Sequence, residues 1–308
     1  MTSAHPSLLR IGTRGSQLAR WQAQSVADAL RRHHPDLTIE LVEIKTLGDR
    51  DRSSPLSSIG GAGVFTKEIQ RALLDGRVDL AVHSLKDLPT IPIEGLILAA
   101  VPARESAFDA LIAPRHGCLD ALPAGARIGT SSLRRRALIG HIRPDLAVVD
   151  LRGNVETRLR QALDGRLDAI ILAEAGLRRL ERETQITERL SPPRFLPAVG
   201  QGALGLECRA CDAATLSRLA VLDDPQTHRA VIAERTLLAT LQGGCLVPLG
   251  AWAREEQGIL RLDAAVLDPQ GRHRIDASDV GADPVALGRA VAAQLRQLGA
   301  DQLLASSE

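Results

Sequence analysis

The amino-acid sequence predicts an α/β fold in which two related domains precede a small α+β domain. Two short stretches occur twice, in the same order. Residues 10–13 have the same sequence, Arg-Ile-Gly-Thr, as residues 127–130, and residues 74–79 match residues 163–168 at all but one position. One such match is readily produced by chance, whereas two in the same order indicate a duplicated domain.

Each copy opens with a strand that leads through a Gly-Thr turn into a helix. The apolar positions of the first helix are Leu18, Trp21, Val26 and Leu30. Pro35 ends this helix, and Pro144 ends the second, which we predict over residues 133–142. Proline has this effect because it lacks the backbone N–H that a helix needs.

In both copies a later helix ends at an Asp-Gly pair, where glycine suits the left-handed conformation of a helix C-terminus. Apolar runs at residues 80–83 and 169–172 follow and are typical of buried, parallel strands. A further apolar run at residues 203–208 can return to the first domain. The chain would then cross twice between the domains, which makes a hinge.

The C-terminal region predicts a small antiparallel sheet with helices, because strand-like runs there are separated by turn signals such as residues 268–271. The expected elements are a helix at 227–241, strands at 248–253, 260–267 and 273–277, and a helix at 284–304. The expected domains are residues 1–102 with 203–221, residues 103–202, and residues 222–308. Residues 48–63, rich in Ser, Gly and Asp, predict a mobile loop or lid.

Composition narrows the classes of function. The 308 residues have a net charge of +1, which argues against a nucleic-acid binder that relies on a field of one sign. Only three of the 38 basic residues are lysine, so 35 are arginine. Coding bias explains much of this excess, but the guanidinium group also matches carboxylates in a bidentate way that lysine does not.

Neither a signal peptide nor a membrane span is expected, since the sequence has no apolar run of the necessary length. Four cysteines are too few for a disulfide scaffold at this length and favour reduced thiols in the cytoplasm. Cys208 and Cys211 have the spacing of half a zinc site, but no second pair follows, so no metal is expected. We expect a monomer.

Candidate anion-binding residues follow the two Gly-Thr turns, because helix N-termini at the carboxyl ends of strands attract anions. The first turn is followed by Arg14 and Ser16. The second is followed by Ser132, Arg134 and Arg135. A solvated basic face explains such a run equally well, although cations at a helix N-terminus are unfavourable until an anion binds. Arg152, Arg158 and Arg179 follow other predicted strands, where a surface ion-pair network is the alternative.

Asp87 closes the apolar strand of the first copy. In a cleft that is otherwise cationic, its carboxylate is the group available for acid–base work or for stabilising a cation, although a plain surface residue is the alternative. His83 is better explained as a hydrogen-bonded histidine near the core than as a ligand. Cys245 follows two glycines at a helix end and has either an accessible, nucleophilic thiol or a small core side chain.

Taken together, these motifs resemble the porphobilinogen deaminase family over nearly the whole chain. The most specific are residues 12–16 (GTRGS), 83–89 (HSLKDLP), 129–135 (GTSSLRR), 151–155 (LRGNV), 196–202 (LPAVGQG) and 243–245 (GGC). The resemblance implies two domains folded like type II periplasmic binding proteins and a third domain. It also implies a dipyrromethane cofactor joined by a thioether to Cys245, on which four porphobilinogen molecules are deaminated and linked before water releases hydroxymethylbilane.

The resemblance also assigns roles to individual residues. Asp87 is the catalytic group, facing the electron-poor carbon that remains when ammonia leaves. Lys86, Ser132, Arg134 and Arg135 hold the cofactor. Residues expected at the substrate are Arg14, Ser16, Phe65, Arg152, Arg158, Arg179 and Gln201. Relatives often have lysines in the lid where this chain has Ser58 and Ala62, so the electrostatic help from the lid is in question.

Two other classes of function compete with this enzyme. A cytosolic sensor on the same duplicated fold would use the arginines to bind a dicarboxylate without catalysis, because fold alone does not fix function. Such a binder has no need of a modified Cys245. A thiol hydrolase lacks an identifiable histidine partner and is the weakest of the three.

Overall fold

The computed structural model describes residues 8–46, 66–242 and 247–305. The predicted lid with Ser58 and Ala62, Phe65 and Cys245 therefore lie outside the described residues. The chain divides into two compact units: unit 1 is Met1–Arg104 with Ala203–His228, and unit 2 is Glu105–Gly202 with Arg229–Glu308. Among the described residues, no helix is long and apolar enough to cross a bilayer.

Unit 1 contains a five-stranded sheet with helices on both faces. Its strands are β1 (Leu8–Thr13), β2 (Thr38–Glu43), β3 (Leu80–Ser84), β4 (Leu96–Ala100) and β10 (Leu204–Arg209). Its helices are α1 (Gln17–His33), α2 (Lys67–Leu74) and α6 (Ala213–Leu219), with 3₁₀ turns at Leu85–Asp87 and Ala220–Leu222. The strand order is β2-β1-β3-β10-β4. The predicted return of residues 203–208 to the first domain is confirmed.

Unit 2 contains a second five-stranded sheet. Its strands are β5 (Asp109–Ile112), β6 (Arg127–Gly129), β7 (Ala147–Val149), β8 (Ala169–Ala173) and β9 (Glu188–Leu190). Its helices are α3 (Leu133–Ile142), α4 (Val155–Leu163) and α5 (Glu174–Arg179), with a 3₁₀ turn at Glu183–Gln185. The strand order is β7-β6-β8-β5-β9. Arg178 and Arg179 are the last two residues of α5, the short helix that directly follows β8.

The two sheets have the same topology, which confirms the duplication. In each, the first three strands are parallel and the last two run antiparallel to their neighbours. The parallel pairing expected of residues 80–83 and 169–172 is confirmed, because β3 pairs with β1 and β8 pairs with β6 in parallel. On their other sides, β3 and β8 pair antiparallel with the returning strand β10 and its counterpart β5. The repeated Arg and Asp also make the same contact: Arg10 N–H donates to Asp79 at 3.0 Å, and Arg127 N–H to Asp168 at 2.8 Å.

The repeated Asp-Gly pairs end α2 and α4 as predicted. Asp75 and Asp164 are the C-caps, and Gly76 and Gly165 follow with φ of 69° and 72°. This left-handed conformation is natural for glycine and strained for other residues. The apolar pattern of α1 is confirmed at Val26 and Leu30, which are buried, whereas Trp21 is 41% exposed and lies off the core-facing side.

Unit 2 also contains a three-stranded antiparallel sheet, in the order β11-β12-β13, as predicted. Its strands are β11 (Leu249–Glu256), β12 (Ile259–Leu267) and β13 (Arg274–Gly281). The accompanying helices are α7 (Pro225–Thr240), α8 (Pro284–Gln297) and α9 (Ala300–Ala305). The single helix expected at 284–304 was wrong, because Gly299, at a φ of 95°, separates α8 from α9.

Both faces of this small sheet contribute buried residues to an apolar core. One face packs under α7 and α8, while Ala265 and Leu267 on the other face join the core around α3. The backbones come very close there: a Cβ on Gly140 would lie 2.3 Å from the Gln270 carbonyl oxygen, and one on Gly271 would lie 2.1 Å from that of Ala137. Only glycine at both positions permits this contact, so the small sheet is built onto α3.

Candidate active site

The carboxyl edge of the unit 1 sheet collects four of the predicted site residues. Because β1 and β3 are parallel neighbours, Arg14 and Ser16 after β1 lie at the same edge as Lys86 and Asp87 after β3. Ser16 is the N-cap of α1, and its hydroxyl accepts a hydrogen bond from Ala19 N–H at 3.3 Å.

Asp87 ends a 3₁₀ turn and is partly exposed. Within the described part of the chain, its carboxylate makes no hydrogen bond or ion pair. This distinguishes it from Asp79 at the opposite edge of the sheet, which pairs with Arg10 and Arg209. Asp87 is therefore an open carboxylate at the edge where ligands of α/β sheets bind.

His83, on β3, lies in a buried hydrogen-bonded group. Its Nε2 is 3.0 Å from Oε2 of Glu207, and the other oxygen of that carboxylate accepts from Gln70 Nε2 at 3.0 Å. The interpretation of His83 as a satisfied histidine near the core is confirmed. Oε1 of Gln70 is buried, and no donor within residues 8–46, 66–242 and 247–305 reaches it.

The carboxyl edge of the unit 2 sheet carries the arginines. Ser132 caps α3, and its hydroxyl accepts from Arg135 N–H. Arg134 and Arg135, in the first turn of this helix, are both buried. They were expected to hold a ligand, and in this structure both donate to the completely buried carboxylate of Asp109, at 2.7 Å from Arg134 Nη1 and 2.6 Å from Arg135 Nη2.

This cluster carries two positive charges against one negative charge. Burial lowers the pKa of Arg135, and the neighbouring positive charge of Arg134 lowers it further, whereas Asp109 raises it. Nε of Arg134 is buried and has no hydrogen-bond partner among the described residues. A buried cationic group with an unused donor is well suited to an anion.

Gln201 joins the same cluster. Its side chain is 0% exposed, and Nε2 donates to the Ala107 carbonyl at 2.7 Å and to Asp109 at 3.1 Å. The segment that carries it is held by the buried Glu234 of α7, which accepts from Gly200 N–H at 2.6 Å and Ala253 N–H at 2.8 Å. A direct contact of Gln201 with substrate stays a prediction.

The other predicted arginines lie at the same edge of unit 2 with different surroundings. Arg179 is buried and donates to the Gly202 carbonyl at 2.7 Å; burial lowers its pKa to about 10, so it remains cationic at neutral pH. Arg152 is 3.7 Å from Asp150 and partly exposed. Arg158 donates to the Gly153 carbonyl at 2.7 Å.

Sequence reasoning missed two buried acids at this edge, Asp109 and Glu174. Glu174 receives hydrogen bonds from Ser106, Arg178 and Arg189. Burial alone would raise the pKa of Glu174, but these hydrogen bonds outweigh it and lower the pKa. The detectable signal was an acid that opens or follows an apolar strand, as Asp109 does before Ala-Leu-Ile.

The two cysteines with the spacing of half a zinc site, Cys208 and Cys211, differ in burial. Cys208 is buried on β10, and burial raises the pKa of its thiol to about 11, while Cys211 is exposed. In the described ranges no three His, Cys, Asp or Glu side chains group together in a way that suits a metal ion.

Comparison with known proteins identifies relatives over nearly the whole chain. A family model described as porphobilinogen deaminase, dipyromethane cofactor binding domain, matches residues 9–217, and one described as the C-terminal domain of porphobilinogen deaminase matches residues 228–297. The curated porphobilinogen deaminase of Syntrophotalea carbinolica is 50% identical over 304 residues, covering 97% of this chain and 96% of that protein. That of Acidithiobacillus ferrooxidans is 48% identical over 299 residues, covering 97% and 98%.

Similar solved structures include periplasmic and lipoprotein binding proteins at low identity. An arginine-specific periplasmic binding protein of Salmonella typhimurium has a TM-score of 0.40 at 12% identity and covers 70% of this chain and 91% of its own. A YaeC-family lipoprotein of Enterococcus faecalis has a TM-score of 0.41 at 8% identity and covers 70% and 90%.

Proposed function

Because the chain belongs to the porphobilinogen deaminase family, we propose that it deaminates four porphobilinogen molecules, joins them head to tail and releases hydroxymethylbilane for tetrapyrrole biosynthesis. The observation that carries this proposal is the match of both family models, which together span residues 9–217 and 228–297. Family membership favours this enzyme over the passive sensor and the thiol hydrolase.

The residues of unit 2 suit the dipyrromethane cofactor of the family. That group carries carboxylates, and the cluster of Arg134 and Arg135 holds surplus positive charge. It also holds a buried donor, Nε of Arg134, which no residue in the described part of the chain accepts from. We assign these two arginines, Ser132 and Lys86 to its carboxylates and Cys245 to its attachment. When bound, the cofactor supplies the pyrrole carbon to which the first substrate is joined.

The remaining residues act on the substrate. Porphobilinogen carries an acetate and a propionate, and we propose that Arg14, Ser16, Arg152, Arg158 and Arg179 bind these groups, with Phe65 against a pyrrole ring and Gln201 nearby. Loss of ammonia leaves positive charge on the substrate carbon. The open carboxylate of Asp87 would stabilise this charge and hold a proton, and this interaction is far stronger in a site that excludes water.

The expected setting is the cytoplasm, with the protein as a monomer and porphobilinogen as its small-molecule partner. The near-neutral net charge of +1 supports the absence of nucleic-acid binding. The predicted division into residues 1–102 with 203–221, 103–202 and 222–308 is retained as a proposal, supported by the separate sheet present in each part.

Intact mass of the freshly purified protein tests the proposed function. Wild type should exceed the sequence mass by two pyrrole units, and Cys245→Ser should remove this excess because it removes the thioether sulfur. Cys211→Ser, which changes an exposed cysteine of unit 1, is the matched control and should keep the excess. A fully active wild type without added mass would contradict the proposal.

A further inference from the structure

The arginine pair of unit 2 has no counterpart in unit 1, although the corresponding helices α1 and α3 start in the same way. Both α1 and α3 begin at a serine N-cap that accepts from the N–H three residues later. Counted from these serines, Arg134 and Arg135 occupy the positions that Leu18 and Ala19 occupy in α1. The first turn of the helix therefore forms without the two charges.

The acid that binds these arginines also has no counterpart. Asp109 is paired with Ala173, the last residue of β8, and Leu204 is paired in the same way with Ser84, the last residue of β3. The same position of the same sheet thus holds a buried carboxylate in unit 2 and a buried leucine in unit 1. Because the shared topology forms with the leucine, the fold itself does not require Asp109.

The hydrogen bonds of Asp109 fix both guanidinium groups at once. Oδ1 accepts from Nε and Nη2 of Arg135 at 2.9 and 2.6 Å, and Oδ2 accepts from Nη1 of Arg134 at 2.7 Å. Backbone carbonyls hold each group from another side, Ile171 for Arg135 at 2.9 Å and Leu196 for Arg134 at 2.6 Å. Two like charges that would repel each other are kept in one geometry.

We propose that Asp109 is a positioning residue, which holds the guanidinium groups of Arg134 and Arg135 in the arrangement that binds the carboxylates of the cofactor. The inference rests on the proposed function, which makes these arginines ligand-binding groups. A preorganised pair of donors binds more tightly because less side-chain freedom is lost on binding. The surplus positive charge is retained, since one carboxylate faces two guanidinium groups.

A purely electrostatic role for Asp109 predicts the opposite effect of its removal. If the carboxylate only reduced the local positive charge, Asp109→Asn would strengthen the binding of anions. If it positions the arginines, the same substitution weakens binding, because the two side chains separate. The sign of the effect therefore decides between the two roles.

The test compares Asp109→Asn with wild type as full-length proteins, at a temperature where both are folded. We expect the fraction with the two-pyrrole mass excess to fall at least about fivefold, and KM for porphobilinogen of the loaded molecules to rise about tenfold with a smaller change in kcat. In an Arg134→Gln/Arg135→Gln background the substitution should have no further effect on loading, since Asp109 acts through these two residues. Asp120→Asn, which removes an exposed carboxylate paired with Arg194, is the matched control and should match wild type.

A second variant keeps the test decisive if Asp109→Asn folds poorly. Asp109→Leu combined with Arg134→Leu and Arg135→Ala installs the arrangement of unit 1. We expect it to melt at a higher temperature than Asp109→Asn, because no buried charge is left unpaired, and to carry no mass excess. If this variant is the less stable of the two, the cluster serves the fold and the inference is overturned.

Failure of this inference is distinguishable from failure of the proposed function. A wild type without the mass excess contradicts the proposed function itself. A loaded wild type, together with an Asp109→Asn protein that is equally loaded and has an unchanged or lower KM, overturns only the positioning role.

Discussion

The sheets of units 1 and 2 share one topology but bury polar side chains at different places. Unit 2 has the ionic cluster of Asp109, Arg134 and Arg135 at the carboxyl edge, and the matching positions of unit 1 hold Leu204, Leu18 and Ala19. Unit 1 has Gln70, His83 and Glu207 in its interior. The matching positions of unit 2, found from the repeated sequence and the strand register, are Leu159, Leu172 and Ile112, all within an apolar core.

This reciprocal pattern separates what the fold needs from what the site needs. Each buried polar group is replaced by apolar side chains in the other copy, so the architecture requires neither. Buried polar groups rarely add net stability over well-packed apolar ones. The shared fold therefore does not explain why each group occurs in one copy only. The two carboxyl edges also differ, because that of unit 1 carries the open acid Asp87 and that of unit 2 the buried arginine pair.

The largest expected effect concerns that acid. Three residues beyond β3 lies Asp87, and three residues beyond β8 lies Gly176, so unit 2 has no carboxylate at the matching position. We expect Asp87→Ala to fold and to bind substrate but to lose kcat by about a thousandfold or more, because it removes the main stabilisation of the developing positive charge. Steady-state kinetics measure the loss of kcat, and intact mass measures what the variant still binds. Asp28→Ala, at an exposed ion pair on α1, is the control, and near-normal turnover of Asp87→Ala would remove it from the mechanism.

A smaller effect, on stability, is expected for the buried polar group of unit 1. Glu207→Ala should lower the free energy of unfolding by about 2–4 kcal/mol, since it leaves His83 and Gln70 without an acceptor and opens a cavity. Combining Gln70→Leu, His83→Leu and Glu207→Ile installs the residues of unit 2 and should recover most of that loss. Urea denaturation measures both. If the triple variant were the less stable, the polar group would be needed for folding and the comparison of the two units would fail.

The smallest effect distinguishes the repeated aspartates at the opposite edge. Asp79 accepts from Arg10 and Arg209 and its side chain is 14% exposed, whereas Asp168 accepts from the backbone N–H of Arg127. We expect Asp79→Asn to lower the free energy of unfolding by about 1–3 kcal/mol and Asp168→Asn by less than about 1 kcal/mol. Thermal or urea unfolding of both variants provides the check, and equal losses would contradict it.

The pH dependence of Asp79 sharpens this prediction. Burial opposes ionisation of its carboxyl, but hydrogen bonds from Arg10 and Arg209 outweigh burial and lower its pKa below the ordinary 3.8. Its stabilisation is therefore complete above 3.8 and is lost as the pH falls through the lower value of the folded state. Asp79→Asn should flatten the loss of stability in this acidic window. If the variant loses stability below pH 3.8 as steeply as wild type does, Asp79 does not contribute to the pH dependence of stability.

Much of the fold was predictable because its signals are local. Helix limits at α3 matched the prediction residue by residue, since a serine N-cap and Pro144 mark its ends. The split between α8 and α9 was missed because a glycine inside an apolar helical pattern does not by itself break a helix. The antiparallel direction of β5 was not predictable locally, because it depends on where the chain re-enters the sheet.

The charged residues of the site could be predicted from the sequence, but the residues that pair with them could not. The positions of Arg134 and Arg135 after a Gly-Thr turn indicated an anion site, yet nothing near them in sequence indicates Asp109, which is 25 residues away from Arg134. Such pairs are determined by strand register, which a single sequence specifies only through tertiary packing. Asp87 was easier to identify, because it follows its own strand directly.

The glycine contact between α3 and the turn at Gly271 has a consequence for how a covalently tethered ligand is presented. Helix α7 and strand β11 precede and follow Cys245 in the chain, and both belong to the layer that rests on α3, the helix that starts with the arginine pair. The described residues on either side of Cys245 and the arginine pair are thus built onto one packed layer. Motion of that layer carries these flanking residues and the arginine pair together.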